Sequence, residues 1–229
     1  MIPSMTSPEE HELFYNLAKA QNQYGFVLEL GTWLGAGTIA IAEGIRDSGH
    51  PHRKAHVYDR FIWNKKMHAH KATLKHKTMF EDFRENLGPL FEYIIPHRGD
   101  ITRMEWSKGD ISLIIFDAPK RIKTISPVLT ALTNYIYAGT ILVWQDFTHV
   151  ASFEIPLACS NLDLELTDTV PGSTGVFRVT TPWLRRDVTP EALSRKGNVD
   201  ESWQKWLPML NPEMAGNLIT ARVLIRDGR

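Results

Sequence analysis

The chain has 229 residues, of which 43% are hydrophobic, which is enough to bury the core of one large domain. Its 26 Lys and Arg residues balance its 26 Asp and Glu residues, so no overall field attracts nucleic acid or an anionic membrane. The lone cysteine, Cys159, excludes an internal disulfide and a cysteine-built zinc site. The sequence shows neither a signal peptide nor an apolar run long enough for a membrane span, so we expect a cytoplasmic protein.

The first elements are a helix, a strand and a second helix. Ser7 as N-cap, Pro8 in the first turn and Glu10 completing a capping box predict the first helix. The apolar run FVLEL, residues 26–30, predicts a strand, and residues 36–49 have helical character. A strand, a glycine-containing loop and a helix in this order begin a βαβ unit.

The same alternation continues further along the chain. Strands are predicted at 55–61, 92–100, 111–119 and 140–147, and helices at 77–88, 122–139 and 153–162. The helix over 122–139 is expected to be interrupted at Pro127. Nearly continuous apolar strands between helices indicate a parallel sheet, in which ligands bind outside the carboxyl ends of the strands.

The pattern changes after residue 162. Residues 163–170 and 175–181, joined by a Pro-Gly turn, predict an antiparallel hairpin. We therefore predict an α/β fold: a Rossmann-like, doubly wound sheet of seven strands, with five parallel βα units, a terminal β-hairpin and helices on both faces. Residues 1–181 would form this domain, and residues 182–229 a C-terminal helical extension packed on it.

The loop after the first strand suits either of two nucleoside ligands. Gly31, Gly35 and Gly37 give G-x-x-x-G-x-G, a poor match to the dinucleotide fingerprint G-x-G-x-x-G. Glu29 would repel a pyrophosphate but could pair with a cationic amino-acid group. Asp59 ends the second strand, where a carboxylate can hold ribose hydroxyls in both ligand classes. The alternative is that Glu29 is a buried structural carboxylate and the glycines only permit close packing.

These residues resemble the class I S-adenosylmethionine-dependent methyltransferases, over about residues 26–181 and including the terminal hairpin. Within that class, the stretches ELGTWLGAGT, VYDRF, IIFDAPK and ILVWQDF resemble the macrocin-type O-methyltransferases of sugars and natural products. In that family the acid-x-Gly loop wraps the methionine end, an acid like Asp59 binds ribose, and a Gly-Asp like Gly99-Asp100 lies near adenine. The resemblance implies these cofactor-binding residues: Glu29, Gly31, Thr32, Trp33, Gly35, Thr38, Asp59, Arg60, Phe61, Asp100, Ile101 and Asp117.

The resemblance also raises the question of a metal. Macrocin-type enzymes carry Asp-Gly-Asp after the fourth strand and Asp-Asp after the fifth, which together can hold magnesium, whereas this chain has DAPK and QDF. Asp117, Asp146 and Gln145 are the remaining candidate Mg²⁺ ligands. The alternative is that Lys120 places a positive charge where the metal would sit and steadies an anionic substrate or a developing oxyanion.

Methyl transfer to a hydroxyl needs alignment of the acceptor and removal of its proton. The candidate catalytic residues are Asp117, Asp146, His149 and Lys120, at or just beyond the predicted ends of strands four and five. His149 suits general-base work near neutral pH, and its alternative role is a surface residue at a helix start. We expect O-methylation of a small molecule similar to a sugar or natural product. This acceptor could be neutral or anionic.

Residues 60–80 contain no Asp or Glu but several Lys and three His. This basic segment could be a lid that recruits an anionic substrate, with Lys65, Lys66, Lys71 and Lys75 as its cations. The alternative is a solvated basic helix face.

Three other functions stay open. One is a module that binds the cofactor without catalysing transfer, which is consistent with fewer acidic residues after the fourth and fifth strands than in macrocin-type enzymes. RNA methylation is disfavoured by the neutral charge and by the lack of an Asp-Pro-Pro-Tyr motif, and an NAD-dependent oxidoreductase would need a nicotinamide half-site that the sequence does not show. Trp203, Trp206, Leu207 and Leu210 would either form a homodimer interface or pack within the chain.

Overall fold

A computed structural model describes residues 2–21, 24–50, 52–63, 73–194 and 203–226, with no side-chain description beyond residue 222. The chain divides into two compact units, Met1–Ile101 and Thr102–Arg229. Its seven strands form one sheet in the order β3-β2-β1-β4-β5-β7-β6, with helices on both faces. The predicted α/β fold class is confirmed.

The first unit contains three parallel strands and three helices. Its elements are α1 (Pro8–Ala20), β1 (Phe26–Leu30), α2 (Ala36–Asp47), β2 (Ala55–Asp59), α3 (Met79–Leu87) and β3 (Ile94–Arg98). Strand β2 lies between β1 and β3, with Val27 opposite Ala55 and Ala55 opposite Ile94. Strands β1 and β2 are almost fully buried, as expected for parallel strands between layers of helices, whereas only Ile94 of β3 is buried.

Helix α1 forms as its capping residues predict. The Ser7 hydroxyl accepts the backbone N–H of Glu10, and the Glu10 carboxylate accepts that of Ser7. Helix α1 then packs on α2 at Gly44, where an added Cβ would lie 2.4 Å from the backbone oxygen of Tyr15. Glycine at this position lets the two helix backbones approach each other.

The second unit contains four strands and four helices among its described residues. They are β4 (Ile111–Phe116), α4 (Ile122–Leu132), β5 (Ile141–Trp144), α5 (Glu154–Ser160), β6 (Leu164–Val170), β7 (Thr174–Val179), α6 (Pro190–Leu193) and α7 (Pro212–Arg226). Strands β4 and β5 are parallel, and β7 is antiparallel to both β5 and β6. The terminal hairpin is therefore present as predicted.

Several element ends differ from the prediction. Helix α4 is not interrupted by Pro127, which lies inside it, and it ends at Leu132 rather than at residue 139. Strands β2, β4 and β5 end two to three residues earlier than the hydrophobic pattern suggested, at Asp59, Phe116 and Trp144. Phe61, Pro119 and Phe147, which follow these ends, are buried although they lie in loops. Burial from a loop and burial from a strand look alike in sequence.

The C-terminal tryptophans belong to the core of the second unit. Trp203 and Trp206 are 2% and 1% exposed. The Trp206 ring meets Phe147 and Phe177 edge to face at 5.6 and 5.5 Å, and its indole N–H donates to the carbonyl of Pro156. This packing supports the intramolecular alternative, because neither indole is available to a second copy of the chain. Among the described residues, none of the helices combines the length and apolar character needed to cross a membrane.

Candidate functional site

The loop after β1 is held by the acid at the end of β2. One carboxylate oxygen of Asp59, Oδ2, accepts the backbone N–H groups of Thr32 and Trp33 at 2.9 and 3.2 Å, and Oδ1 accepts that of Phe61 at 2.7 Å. A carboxylate has about four acceptor positions, so these bonds leave one on Oδ1. Asp59 therefore organises two loops and keeps a limited capacity to accept a ligand hydroxyl.

Two of the predicted loop glycines adopt the left-handed conformation. Gly31 has φ 101° and Gly35 has φ 91°, a region that residues with a Cβ adopt at a cost. At Gly35, the N-cap of α2, an added Cβ would also lie 2.6 Å from the Leu87 side chain. None of the described side chains caps the start of α2, so its first backbone N–H groups are oriented to receive an acceptor such as a carboxylate.

Glu29 and Thr38 are brought together although they are nine residues apart. Glu29 is 3% exposed at the end of β1, and its Oε2 accepts the Thr38 hydroxyl at 2.6 Å. Gly37 leaves room for this carboxylate, since a Cβ there would lie 3.3 Å from Oε1. The pair fixes the carboxyl group of Glu29 beside the first turn of α2.

Thr32 carries a buried polar atom without a partner. The residue is 5% exposed, and its hydroxyl oxygen makes no hydrogen bond to any residue that the structure describes. A buried hydroxyl left unsatisfied costs about 1–3 kcal/mol. A polar ligand held by the loop after β1 would remove this cost, so the loop fits a bound nucleoside cofactor.

The aromatic residues of these loops belong to the core. Trp33 is 7% exposed and packs with Leu34 and Met79, which supports its packing role over shielding of a ligand. The Phe61 ring meets Phe80 and Phe83 at centroid distances of 5.0 Å. Trp33 and Phe61 therefore contribute backbone, rather than ring surface, to any site at this edge.

Backbone strain occurs just after three of the strands. Among the described residues, the non-glycine residues with positive φ are Trp33 at 44°, Phe61 at 51° and Asp146 at 57°. They follow β1, β2 and β5, respectively. Such conformations cost about 1–3 kcal/mol each and are concentrated at functional sites.

The remaining candidates of the first unit lie after β2 and β3. Arg60 and Asp100 are exposed, and Ile101 begins a short 3₁₀ turn, Ile101–Arg103. The Gly99 N–H donates to the Asp59 carbonyl at 3.0 Å, which connects the loop after β3 to the end of β2. The structure therefore gathers the first-unit candidates at the carboxyl ends of three neighbouring strands.

In the second unit, one lysine bridges both candidate aspartates. The Lys120 ammonium lies 3.2 Å from Asp117 Oδ1 and also forms an ion pair with Asp146 Oδ2. Burial works to lower the pKa of Lys120, but the charges of Asp117 and then Asp146 outweigh it and raise that pKa. The side chain therefore stays protonated at neutral pH.

Ser173 is a neighbour of this cluster that the sequence reasoning missed. Its hydroxyl lies 3.4 Å from Asp146 Oδ1, and its carbonyl accepts the Thr148 N–H at 3.2 Å. Ser173 lies in the predicted hairpin turn, where its neighbours indicate a turn but nothing indicates a functional residue.

The described residues do not fit a magnesium site. No group of three or more His, Cys, Asp or Glu side chains that could hold a metal occurs among them. The two carboxylates proposed as ligands share the Lys120 ammonium, and a divalent cation placed there would be repelled by it. The third proposed ligand, Gln145, directly precedes Asp146 and is partly buried.

His149 has the features of a helix-start residue. It is exposed, and its Nδ1 accepts the N–H of Ala151 at 3.2 Å, which places the proton of the neutral ring on Nε2. The nitrogen that would have to accept a proton is therefore engaged. This arrangement favours the surface interpretation over the general-base hypothesis.

Part of the hypothesised lid, residues 64–72 with Lys65, Lys66 and Lys71, lies outside the described residues. At its described end, the Asp82 carboxylate accepts the N–H groups of Lys75 and His76, each at 2.8 Å. The Lys75 ammonium lies 3.2 Å from Glu85. This end of the segment is thus anchored to α3.

No family model and no curated protein matches the chain. Its structure is similar to the O-methyltransferase NovP, with a TM-score of 0.59, 17% identity, and coverage of 78% of this chain and 82% of NovP. The chain has the class I methyltransferase fold. It is also similar to CalS11, a TDP-rhamnose 3′-O-methyltransferase of calicheamicin biosynthesis, with a TM-score of 0.54, 16% identity, and coverage of 74% of this chain and 77% of CalS11. A third similar structure is the methyltransferase PaMTH1 of Podospora anserina, solved with S-adenosylhomocysteine bound. Its TM-score is 0.53 and its identity 16%, with coverage of 77% of this chain and 80% of PaMTH1. At these identities the similarity establishes the methyltransferase fold.

Proposed function

We propose that this chain is an S-adenosylmethionine-dependent methyltransferase that acts on a hydroxyl group of a small molecule. The observation that carries the proposal is the loop after β1, which Asp59 holds by the N–H groups of Thr32 and Trp33 and which presents the orphaned Thr32 hydroxyl. The chemistry of the structural neighbours adds support, since NovP and CalS11 are described as O-methyltransferases.

The charges at the end of β1 suit the amino-acid end of this cofactor. Glu29 is a buried carboxylate already oriented by Thr38, and it can receive an ammonium group. The uncapped N–H groups at the start of α2 can receive a carboxylate. A dinucleotide offers neither an ammonium nor an amino-acid carboxylate, and its pyrophosphate would face the charge of Glu29.

Asp117, Asp146 and Lys120 are suitable groups for an acceptor hydroxyl. When bound, S-adenosylmethionine supplies a methyl group on a positively charged sulfur, and its transfer leaves a neutral thioether. Asp117 and Asp146 are acceptors that can orient the hydroxyl and take its proton as the new carbon–oxygen bond forms. These two carboxylates and Lys120 are our proposed catalytic residues.

Binding is the first test. Calorimetric titration with S-adenosylmethionine, S-adenosylhomocysteine and NADH should show tight binding of both adenosyl ligands and none of NADH. Binding of NADH alone would contradict the proposal and would revive the oxidoreductase alternative.

Turnover is the second test. Release of S-adenosylhomocysteine should be measured against a panel of neutral sugars, nucleotide sugars, phenols and a structured RNA. Asp146→Asn should lower kcat while cofactor affinity is kept, because this residue is proposed to act on the acceptor. Cofactor binding without transfer to any acceptor would instead identify a non-catalytic cofactor-binding module.

A further inference from the structure

Lys120, Asp117 and Asp146 form a cluster in which a lysine, rather than a metal ion, partly balances the charge of two carboxylates. Macrocin-type enzymes, which the sequence resembles, use acids after the fourth and fifth strands to hold a divalent cation. Here the acids after β4 and β5 are occupied by a side chain of the same chain.

The position of Lys120 explains why its ammonium reaches both carboxylates. Lys120 is three residues beyond Asp117 in the loop between β4 and α4, so a short turn brings its ammonium back to within 3.2 Å of that carboxylate. Asp146 follows the parallel neighbour β5 and presents its carboxylate from a left-handed backbone conformation. Ser173, from the hairpin turn, lies beside the second oxygen of Asp146.

The electrostatics of the cluster differ from those of a metal site. Two carboxylates and one ammonium leave one net negative charge, whereas a divalent cation would leave none. The Lys120 ammonium also belongs to the chain, so a chelator cannot remove it. The side chains are partly buried, at 38% exposed for Lys120, 30% for Asp117 and 28% for Asp146, so their mutual attraction is only partly screened by solvent.

We propose that the Lys120 ammonium takes the place of a divalent cation between Asp117 and Asp146, and that the chain transfers methyl groups without a metal. The second part rests on the proposed function. The first part concerns only the charges of the second unit.

Metal binding tests the first part without any need for turnover. Thermal unfolding should be followed for the wild type, Lys120→Ala, Lys120→Gln and the matched control Lys123→Ala, an exposed lysine of α4. Each protein is melted with Mg²⁺, with Mn²⁺ and with NaCl at equal ionic strength. Removing the ammonium leaves two facing carboxylates, so millimolar Mn²⁺ should raise the Tm of both Lys120 variants by about 2–5 °C.

The Tm of the wild type and of Lys123→Ala should not rise with metal. The double variant Lys120→Ala/Asp146→Asn should lose the rise in Tm that Lys120→Ala shows. Equal stabilisation of the wild type and Lys120→Ala would overturn the proposal, because a metal would then bind beside the lysine. A lack of response in both Lys120 variants would overturn it too, because the carboxylates would not form a cation site even when vacated.

Activity tests the second part. Wild-type transfer should be unchanged by EDTA and by added Mg²⁺. Transfer that EDTA abolishes and Mg²⁺ restores would refute metal independence while leaving the methyltransferase proposal intact. If no transfer to any acceptor occurs, the melting experiment still decides whether Lys120 replaces the cation.

Discussion

The backbone N–H of Thr32 donates to the carboxylate of Asp59 over 2.9 Å, so an acid at the end of β2 determines the shape of the loop after β1. A carboxylate at this position was expected to bind ribose directly. In the structure it also bonds to Trp33 and Phe61, which makes it a structural part of the loop as well as a candidate ligand group.

This relationship predicts that Asp59→Asn lowers both affinity and stability. The amide nitrogen would replace an acceptor with a donor that faces backbone donors, so the free energy of unfolding should fall by about 1–3 kcal/mol. Affinity for S-adenosylhomocysteine should fall more than about tenfold. Urea unfolding and calorimetry measure the two effects, with the exposed Asp110→Asn as control. Lost affinity with an unchanged unfolding midpoint would mean that Asp59 serves the ligand alone.

Glu29 should discriminate between ligands with and without an amino-acid group. Glu29→Gln removes the charge proposed to receive the ammonium, so affinity for S-adenosylmethionine should fall about tenfold to a hundredfold. Affinity for 5′-methylthioadenosine, which lacks that group, should change little. Thr38→Val should reproduce part of the loss, because the Thr38 hydroxyl orients the carboxylate. The exposed Glu12→Gln is the control, and equal losses for both ligands would argue for a purely structural role of Glu29.

Trp206 should be essential to the stability of the second unit. Trp206→Ala leaves a cavity between Phe147 and Phe177 and should cost about 3–5 kcal/mol, and Trp206→Phe should cost less. Met209→Ala, at a 51% exposed position in the same segment, should stay within about 0.5 kcal/mol of the wild type. Urea unfolding provides the comparison. A small effect of Trp206→Ala would mean that the C-terminal residues are not part of this core.

Tyr58 should make the protein sensitive to alkali. Burial raises the pKa of Tyr58 to about 12, whereas the pKa of an unfolded tyrosine is about 10. Between these values the unfolded chain releases the phenol proton and the folded chain keeps it. Stability is therefore kept below about pH 10 and is lost as the pH rises towards 12.

Tyr58→Phe should flatten this dependence of stability on pH. Urea unfolding midpoints, measured about every half pH unit from about pH 8 to about 11.5, would reveal the difference. Tyr24→Phe, at a 70% exposed position, is the control. Identical slopes for the wild type and Tyr58→Phe would contradict the prediction.

Much of the fold could be predicted because local patterns report local structure. The apolar run 26–30 became β1 with the predicted bounds, and the capping residues Ser7 and Glu10 start α1 as expected. Less could be predicted at strand ends. Phe61 and Phe147 are apolar and buried like strand residues, but they lie in loops, and periodicity alone does not distinguish the two.

The sequence by itself determined the alternation of strands and helices, the terminal hairpin and the candidate carboxylates Glu29, Asp59, Asp117 and Asp146, because these depend on residue type and spacing along the chain. Only the tertiary structure decided what each carboxylate contacts. Asp59 reaches the loop after β1, and Lys120 reaches Asp146 26 residues further along the chain, because parallel pairing brings the carboxyl ends of separate strands together. Such contacts join residues remote in sequence, so the ion pairs that Lys120 forms with Asp117 and Asp146 become visible only in the folded chain.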